Sequence, residues 1–257
     1  MFVALVVGLG LFGLIFGSFL NVVIYRVPRG ESIVAPRSRC PSCGTTLGAL
    51  DNIPVVSYVV LRGRCRTCQA PISAQYPIVE LSTAALFGGT AARFGSSWAL
   101  PAYVVLAAGL LVLAAIDLEQ GKLPKQIVYL VTALVGALLL LASGETGDWR
   151  RLVIAACAGA AWFGLFFAIN AVNPRWLGFG DVRLAFCLGL SLGWLGVGYV
   201  FVGFLLASLV GTVIGIGLIV MKGAGLTTQV PFGPFLAIGT EMAVFAGSLI
   251  LRPFHVG

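Results

Sequence analysis

An all-α polytopic membrane protein, with about eight transmembrane helices and one cytoplasmic four-cysteine, zinc-binding loop, is the architecture predicted by this sequence. Three observations carry that expectation. The 257-residue chain is 59% hydrophobic, with a mean hydropathy of +1.04. Only 10% of its residues are charged, where a soluble domain carries about a quarter. Apolar runs close to bilayer length recur along the chain, separated by short polar stretches.

The spans fall at about 2–25, 77–93, 98–116, 126–143, 151–172, 182–197, 199–221 and 232–251. The first has no basic n-region and no small-residue cleavage site, so it is expected to act as an anchor and not a removable signal. Residues 26–76 form the one long polar stretch, which divides the chain into a first helix (1–25), a loop domain (26–76) and a membrane core (77–257). The 34 glycines suit such a core, because small residues let membrane helices approach closely.

Charge sets the expected orientation. With the 26–76 loop inside, twelve of the basic residues lie on the inner side, Arg175 and Arg183 among them. The outer side keeps four: Arg93, Arg150, Arg151 and Arg252. The positive-inside rule then places the loop in the cytoplasm and both termini outside. Contact of the loop arginines with anionic lipid headgroups follows naturally. No nucleic-acid role is expected, because nothing in the chain resembles a binding motif.

Within the loop, Cys40-Pro-Ser-Cys43 and Cys65-Arg-Thr-Cys68 are two Cys-x-x-Cys knuckles 21 residues apart. Four soft sulfur ligands suit one tetrahedral zinc ion. Disulfides fit a reducing compartment poorly, and redox catalysis is a further alternative. A closed four-cysteine site has no open position for water, so the metal is expected to shape the loop and not to perform chemistry. The loop is too short for a large core, and a metal staple supplies the missing stability. Cys157 and Cys187, alone in apolar runs, read as small buried hydrophobes.

Two aspartates stand at the ends of apolar runs in a chain with only nine acidic residues. Asp117 closes the run 100–116, and Asp181 follows Gly178-Phe-Gly180. A carboxylate at the bilayer edge is costly without a job or a partner. The expected topology puts both at the cytoplasmic boundary, where a carboxylate pair sharing one proton could activate water and polarise a carbonyl. Gly178 and Gly180 would let a substrate strand approach Asp181. Plainer roles exist for each: Asp181 as a helix cap, and Asp117 as an interfacial charge balanced by Lys122 or Lys125.

The wider sequence resembles a known family. Gly17-Ser-Phe-Leu-Asn-Val-Val-Ile-Tyr-Arg-Val-Pro28 is similar to the opening of bacterial type IV prepilin peptidases. So are Cys40-Pro-Ser-Cys43, Asp51-Asn-Ile-Pro-Val-Val-Ser-Tyr58, Arg62-Gly-Arg-Cys-Arg-Thr-Cys68 and Tyr76-Pro-Ile-Val-Glu-Leu81. Asp117-Leu-Glu-Gln-Gly-Lys-Leu-Pro124, Gly178-Phe-Gly-Asp-Val-Arg-Leu184 and Pro231-Phe-Gly-Pro-Phe-Leu236 continue the resemblance in order. The family belongs to the Gly-x-Gly-Asp membrane aspartic proteases. The resemblance implies that 77–257 is an aspartic peptidase core with Asp117 and Asp181 as its catalytic pair. It also implies cleavage of basic leaders from type IV prepilins or type II secretion pseudopilins at the cytoplasmic face of the bacterial inner membrane. N-methylation of the new terminus by S-adenosylmethionine is implied as well, because that activity accompanies the four-cysteine loop. The chain departs from the family at Lys125, Gln75 and Asn173-Pro174-Arg175.

Several further residues carry expectations. Glu80, one turn into the second span, either contacts the substrate amine or methyl donor, or pairs with a loop Arg. Asn21 is expected to bond across helices, with lining the site as the alternative, Glu119 to be a solvated charge, with a leader contact as the alternative, and His255 to lie outside the chemistry. Glu241 falls mid-span and needs a partner or a proton. Two other classes of function compete. An ion-coupled transporter with a metal-sensing loop would use the carboxylates for ions, and a non-catalytic scaffold would need neither aspartate.

Overall fold

The structure is a computed structural model that describes residues 1–174, 177–222 and 231–252. Arg175 and His255 lie outside the described residues, as does the side chain of Lys222. The described residues are helical apart from two isolated β-bridges in the cysteine loop. They form two compact units, Met1–Gly95 and Ser96–Gly257.

The first unit is a helix pair carrying the loop. α1 (Phe2–Arg26) packs along α3 (Gln75–Phe94), and a single-turn helix, α2 (Val56–Val60), lies in the loop between them. Small residues set the closeness of α1 and α3: a Cβ on Gly17 would stand 2.7 Å from the Glu80 backbone. The Phe87 ring packs against Phe12 and Phe16, with centroids 6.1 and 5.9 Å away. Asn21 donates to the Tyr76 carbonyl at 3.1 Å, the cross-helix bond expected of it. Arg26 is buried and donates to the carbonyls of Ser32 and Pro36 at 2.8 and 2.7 Å. It folds the start of the loop back under the end of α1.

The second unit contains α4 (Leu100–Gln120), α5 (Lys125–Thr146), α6 (Trp149–Val172), α7 (Phe179–Leu195), α8 (Val197–Lys222) and α9 (Gly233–Leu251). α6 packs along α7 and α8 along α9, while α4 contacts both α5 and α9. At the α8–α9 crossing, a Cβ on Gly239 would come 2.4 Å from the Ala207 backbone nitrogen, so only glycine permits that approach. The Tyr103 hydroxyl of α4 donates to the buried Ser191 carbonyl of α7 at 2.7 Å, fixing these two helices to each other.

Eight long helices lie where the eight spans were expected, and six of them are long and apolar enough to cross a membrane among the described residues. The other two are α3, with Glu80 in its first half, and α7, which has only 17 residues. Two differences from the hydropathy reading bear on the aspartates. α4 runs on to Gln120, so Asp117 lies inside its last turn. α7 begins at Phe179, so Asp181 is its third residue. Hydropathy ends a span at the first charge, whereas the helix continues until a backbone signal stops it. One expectation is corrected: Cys187 is buried, but Cys157 is exposed on α6. In a membrane protein the outer surface is itself apolar, so a hydrophobic run does not imply burial.

Candidate active site and cysteine centre

α4 ends because Gly121 adopts φ +62°, its N–H capping the Asp117 carbonyl at 2.8 Å. Pro124 then precedes α5. The short connection presents Leu123 between two helix starts. A Cβ on Gly180 of α7 would stand 2.9 Å from Leu123 Cβ, and one on Gly233 of α9 would stand 3.2 Å from Leu123 Cδ2. The beginnings of α7 and α9 therefore converge on the residue six places after Asp117.

The Asp117 carboxylate is buried, at 5% exposure, and its Oδ2 accepts the Gly233 backbone N–H at 3.1 Å. Asp181 is 9% exposed and takes a backbone hydrogen bond from Gly178. Gly178, not Asp181, is the N-cap of α7, so Asp181 supports its helix from within the first turn, like the acidic member of a capping box. Ion pairs among the described residues join Arg66 to Asp51 and Arg151 to Asp148. Neither Lys122 nor Lys125 balances Asp117.

Gly233 was not singled out from sequence. A glycine has no chemical signature, and its one visible signal is its place at the start of a span, followed by Pro234. A side chain there would put a Cβ 2.6 Å from Asp117 Oδ2.

In the loop, the Sγ atoms of Cys40, Cys43, Cys65 and Cys68 all lie within 4.8 Å of one another. The Cys40 and Cys68 sulfurs are 3.8 Å apart. Tetrahedral zinc with bonds of about 2.3 Å requires sulfur separations of about 3.8 Å, so the four thiols fit a closed metal site. The two knuckles are built alike. Cys40 N–H binds the Thr45 carbonyl and Gly44 N–H the Cys40 carbonyl; Cys65 N–H binds Ala70 and Gln69 N–H binds Cys65. Bridges Arg39–Thr46 and Arg64–Pro71 close each turn. The residue after each second cysteine is left-handed, Gly44 at φ +71° and Gln69 at φ +58°. Within the cluster the Thr45 hydroxyl lowers the Cys43 thiol to about 6, while desolvation and the neighbouring sulfurs push Cys68 up to about 11.

Asp51 ties the knuckles together. It takes the Arg66 Nε–H at 2.9 Å and the Gly48 N–H at 3.1 Å. The Arg66 bond, then the Gly48 bond, hold its carboxyl below the usual range. Glu80, expected to meet substrate or to pair in the loop, is 6% exposed and accepts the Val55 N–H on Oε2 at 2.7 Å. Val55 has φ +60° and ψ −47°, and it is the middle residue of a γ-turn closed by Val56 N–H on the Pro54 carbonyl. A β-branched residue rarely adopts that conformation. Glu119 is exposed, as expected. Glu241 Oε1 is enclosed and has no hydrogen-bond partner among the described residues.

A helical membrane protein with a cysteine centre and two buried aspartates at converging helix ends is the class these features define. The model of the bacterial peptidase A24 N-terminal domain matches residues 11–94, and that of the type IV leader peptidase family matches 104–216. A prepilin leader peptidase/N-methyltransferase of Aeromonas hydrophila is 38% identical over 94% of this chain and 91% of that protein. One from Burkholderia pseudomallei is 36% identical over 95% and 85%, and one from Myxococcus xanthus is 40% identical over 84% and 64%. No solved structure matches. The chain belongs to the type IV leader peptidase family.

Proposed function

We propose that the protein cleaves the basic leader from type IV prepilins or type II secretion pseudopilins at the cytoplasmic face of the bacterial inner membrane. Asp117 and Asp181 share one proton. The protonated carboxyl polarises the scissile carbonyl, and the ionised one takes a proton from the attacking water. The observation that carries this reading is the convergence at Leu123, which brings the starts of α7 and α9 against the end of α4. Gly178, whose missing side chain borders only Asp181 Oδ2, leaves room for the substrate backbone beside Asp181, whereas the space at Gly180 is taken by Leu123. Glu80 accepts the Val55 N–H and is also hydrogen-bonded with Ser18, so its carboxylate is held within the first unit, and a contact with substrate would have to displace one of these bonds.

Cys40, Cys43, Cys65 and Cys68 hold a structural zinc ion, which stabilises the fold of the cytoplasmic loop. Both termini lie outside. The second activity is N-methylation of the new terminus with S-adenosylmethionine as co-substrate, supported by the four-cysteine loop and by the names of the relatives.

The test is incubation of the purified chain with a prepilin, with and without the methyl donor, followed by mass spectrometry. Wild type releases the leader, and Asp117→Asn and Asp181→Asn each lose cleavage while inserting normally. Full cleavage by either variant overturns the two-aspartate mechanism. An unmethylated product formed in the presence of donor overturns the second activity alone.

A further inference from the structure

Arg183 sits on α7 two residues beyond Asp181, and its surroundings are unusual for an arginine. Its guanidinium carbon lies 4.5 Å from the Phe179 ring centroid and 5.8 Å from that of Tyr129 on α5. Its Nε–H is enclosed and meets no hydrogen-bond acceptor among the described residues. Neither ion pair found among those residues involves it. Asp181 is not its counter-ion, because side chains two apart on a helix do not face each other, whereas Phe179, four back, shares its side.

A guanidinium cannot escape this situation by losing its proton. Its place near the start of α7 is also the wrong end of the helix dipole for a cation. The two rings hold it in position, but ring faces do not satisfy N–H donors aimed outward. An enclosed donor on an obligatory cation, unpaired among the described residues, calls for an acceptor from beyond them, such as an anion or water.

Its setting says which. Tyr129 is 55% exposed and Phe179 is 42% exposed, so the aromatic clamp opens onto the outer flank of α5 and α7. In a membrane protein that flank faces lipid, and aromatic rings beside cations mark the headgroup level. Lys125, one turn before Tyr129 on the same side of α5, is exposed and supplies a second positive charge. An arginine fork beside a lysine is suited to a phosphate carrying net negative charge.

We infer that Arg183, clamped by Phe179 and Tyr129 and assisted by Lys125, binds the phosphate of an anionic lipid headgroup on the α5–α7 flank. The inference does not depend on the two-aspartate mechanism. The site differs from the diffuse attraction expected of the loop arginines, because one guanidinium is fixed in one place.

Native mass spectrometry of the delipidated full chain tests it, with phosphatidylglycerol, phosphatidylcholine of matched chains, and inorganic phosphate as separate additives. Wild type should retain phosphatidylglycerol in preference to phosphatidylcholine. Arg183→Gln should weaken phosphatidylglycerol retention roughly tenfold or more, the loss of a charged hydrogen bond, and leave phosphatidylcholine unchanged. Arg183→Lys should fall between. Tyr129→Leu, at an exposed position that does not threaten folding, should weaken retention several-fold through the lost clamp. Equal retention of the two lipids by wild type overturns the inference. So does undiminished phosphatidylglycerol binding in both Arg183→Gln and Tyr129→Leu. Inorganic phosphate that competes at the lipid's own concentration overturns the lipid assignment in favour of a free anion.

Discussion

Replacing Gly233 by alanine is the sharpest perturbation of the proposed aspartate pair, because it touches neither carboxylate chemically. The added Cβ would lie 2.6 Å from Asp117 Oδ2 and 3.3 Å from Asp117 Cγ. Relief to ordinary contact requires a shift of about 0.8 Å in the carboxylate or in the start of α9. Either movement lengthens the 3.1 Å bond from Gly233 N–H to Asp117. A hydrogen bond to a charged group is worth about 1.5–3 kcal/mol, equivalent to roughly ten- to a hundredfold in rate if it serves the transition state. A misplacement near 1 Å costs about a hundredfold by the orientation argument. Both routes converge on a loss of roughly two orders of magnitude in kcat/KM. The assay is leader release from a prepilin in proteoliposomes, followed by gel shift, with membrane insertion measured in parallel. Gly164→Ala is the control, since a Cβ there meets nothing within 4 Å. Gly233→Ala at wild-type rate, with normal insertion, would refute the claim that this contact positions Asp117.

Three further predictions concern the first unit. Glu80→Ala removes the acceptor from the strained Val55 turn, so trypsin should cut the loop faster, by about tenfold if the bond's worth is expressed as local opening; Glu80→Gln, which keeps an acceptor oxygen, should recover part of the protection, and unchanged cleavage in Glu80→Ala would contradict the contact. Gln69→Gly should slow metal loss to a chelator by relieving the left-handed strain at φ +58°, a gain of about 0.5–1 kcal/mol, whereas Gly44→Ala should hasten it. Asp51, its folded pKa depressed, contributes stability at neutral pH that fades as pH falls below about 4. Because its partner Arg66 is largely exposed, the effect should be small, and loop proteolysis of wild type and Asp51→Asn should differ modestly at neutral pH and converge in acid.

The parts of this molecule that sequence revealed are those with a chemical or periodic signature. Apolar length located the helices, and the two Cys-x-x-Cys pairs located four thiols that meet within 4.8 Å. Asp117 and Asp181 stood out because carboxylates are scarce here. What stayed hidden depends on backbone. Gly233 acts through an N–H that every residue but proline carries, and through an absent side chain. The Glu80–Val55 contact rests on a conformation no propensity assigns to valine. Arg183 read as one of twelve inner charges, because sequence cannot show that aromatic rings on two helices surround it. Cys157 was misplaced because lipid and protein interior are equally apolar surroundings for a thiol.

The two aspartates also pose a physical question, since neither has a cationic partner among the described residues. Both carboxylates instead meet the beginnings of helices. Asp117 receives the N–H of the first residue of α9, and Asp181 lies in the first turn of α7. A helix start carries about half a positive charge and unsatisfied N–H donors, each able to stabilise a nearby anion by roughly 0.3–2 kcal/mol. Such partial charges ease two carboxylates into a membrane edge without neutralising either of them. A lysine in contact would do more, and would thereby fix both as carboxylates and oppose the sharing of one proton. In the proposed mechanism, support by backbone alone would leave one proton free to move between the two carboxyls. The fold thus resolves the cost of buried charge in the way that least disturbs acid–base chemistry, and the glycines at 178, 180 and 233 are where the backbone comes close enough to do so.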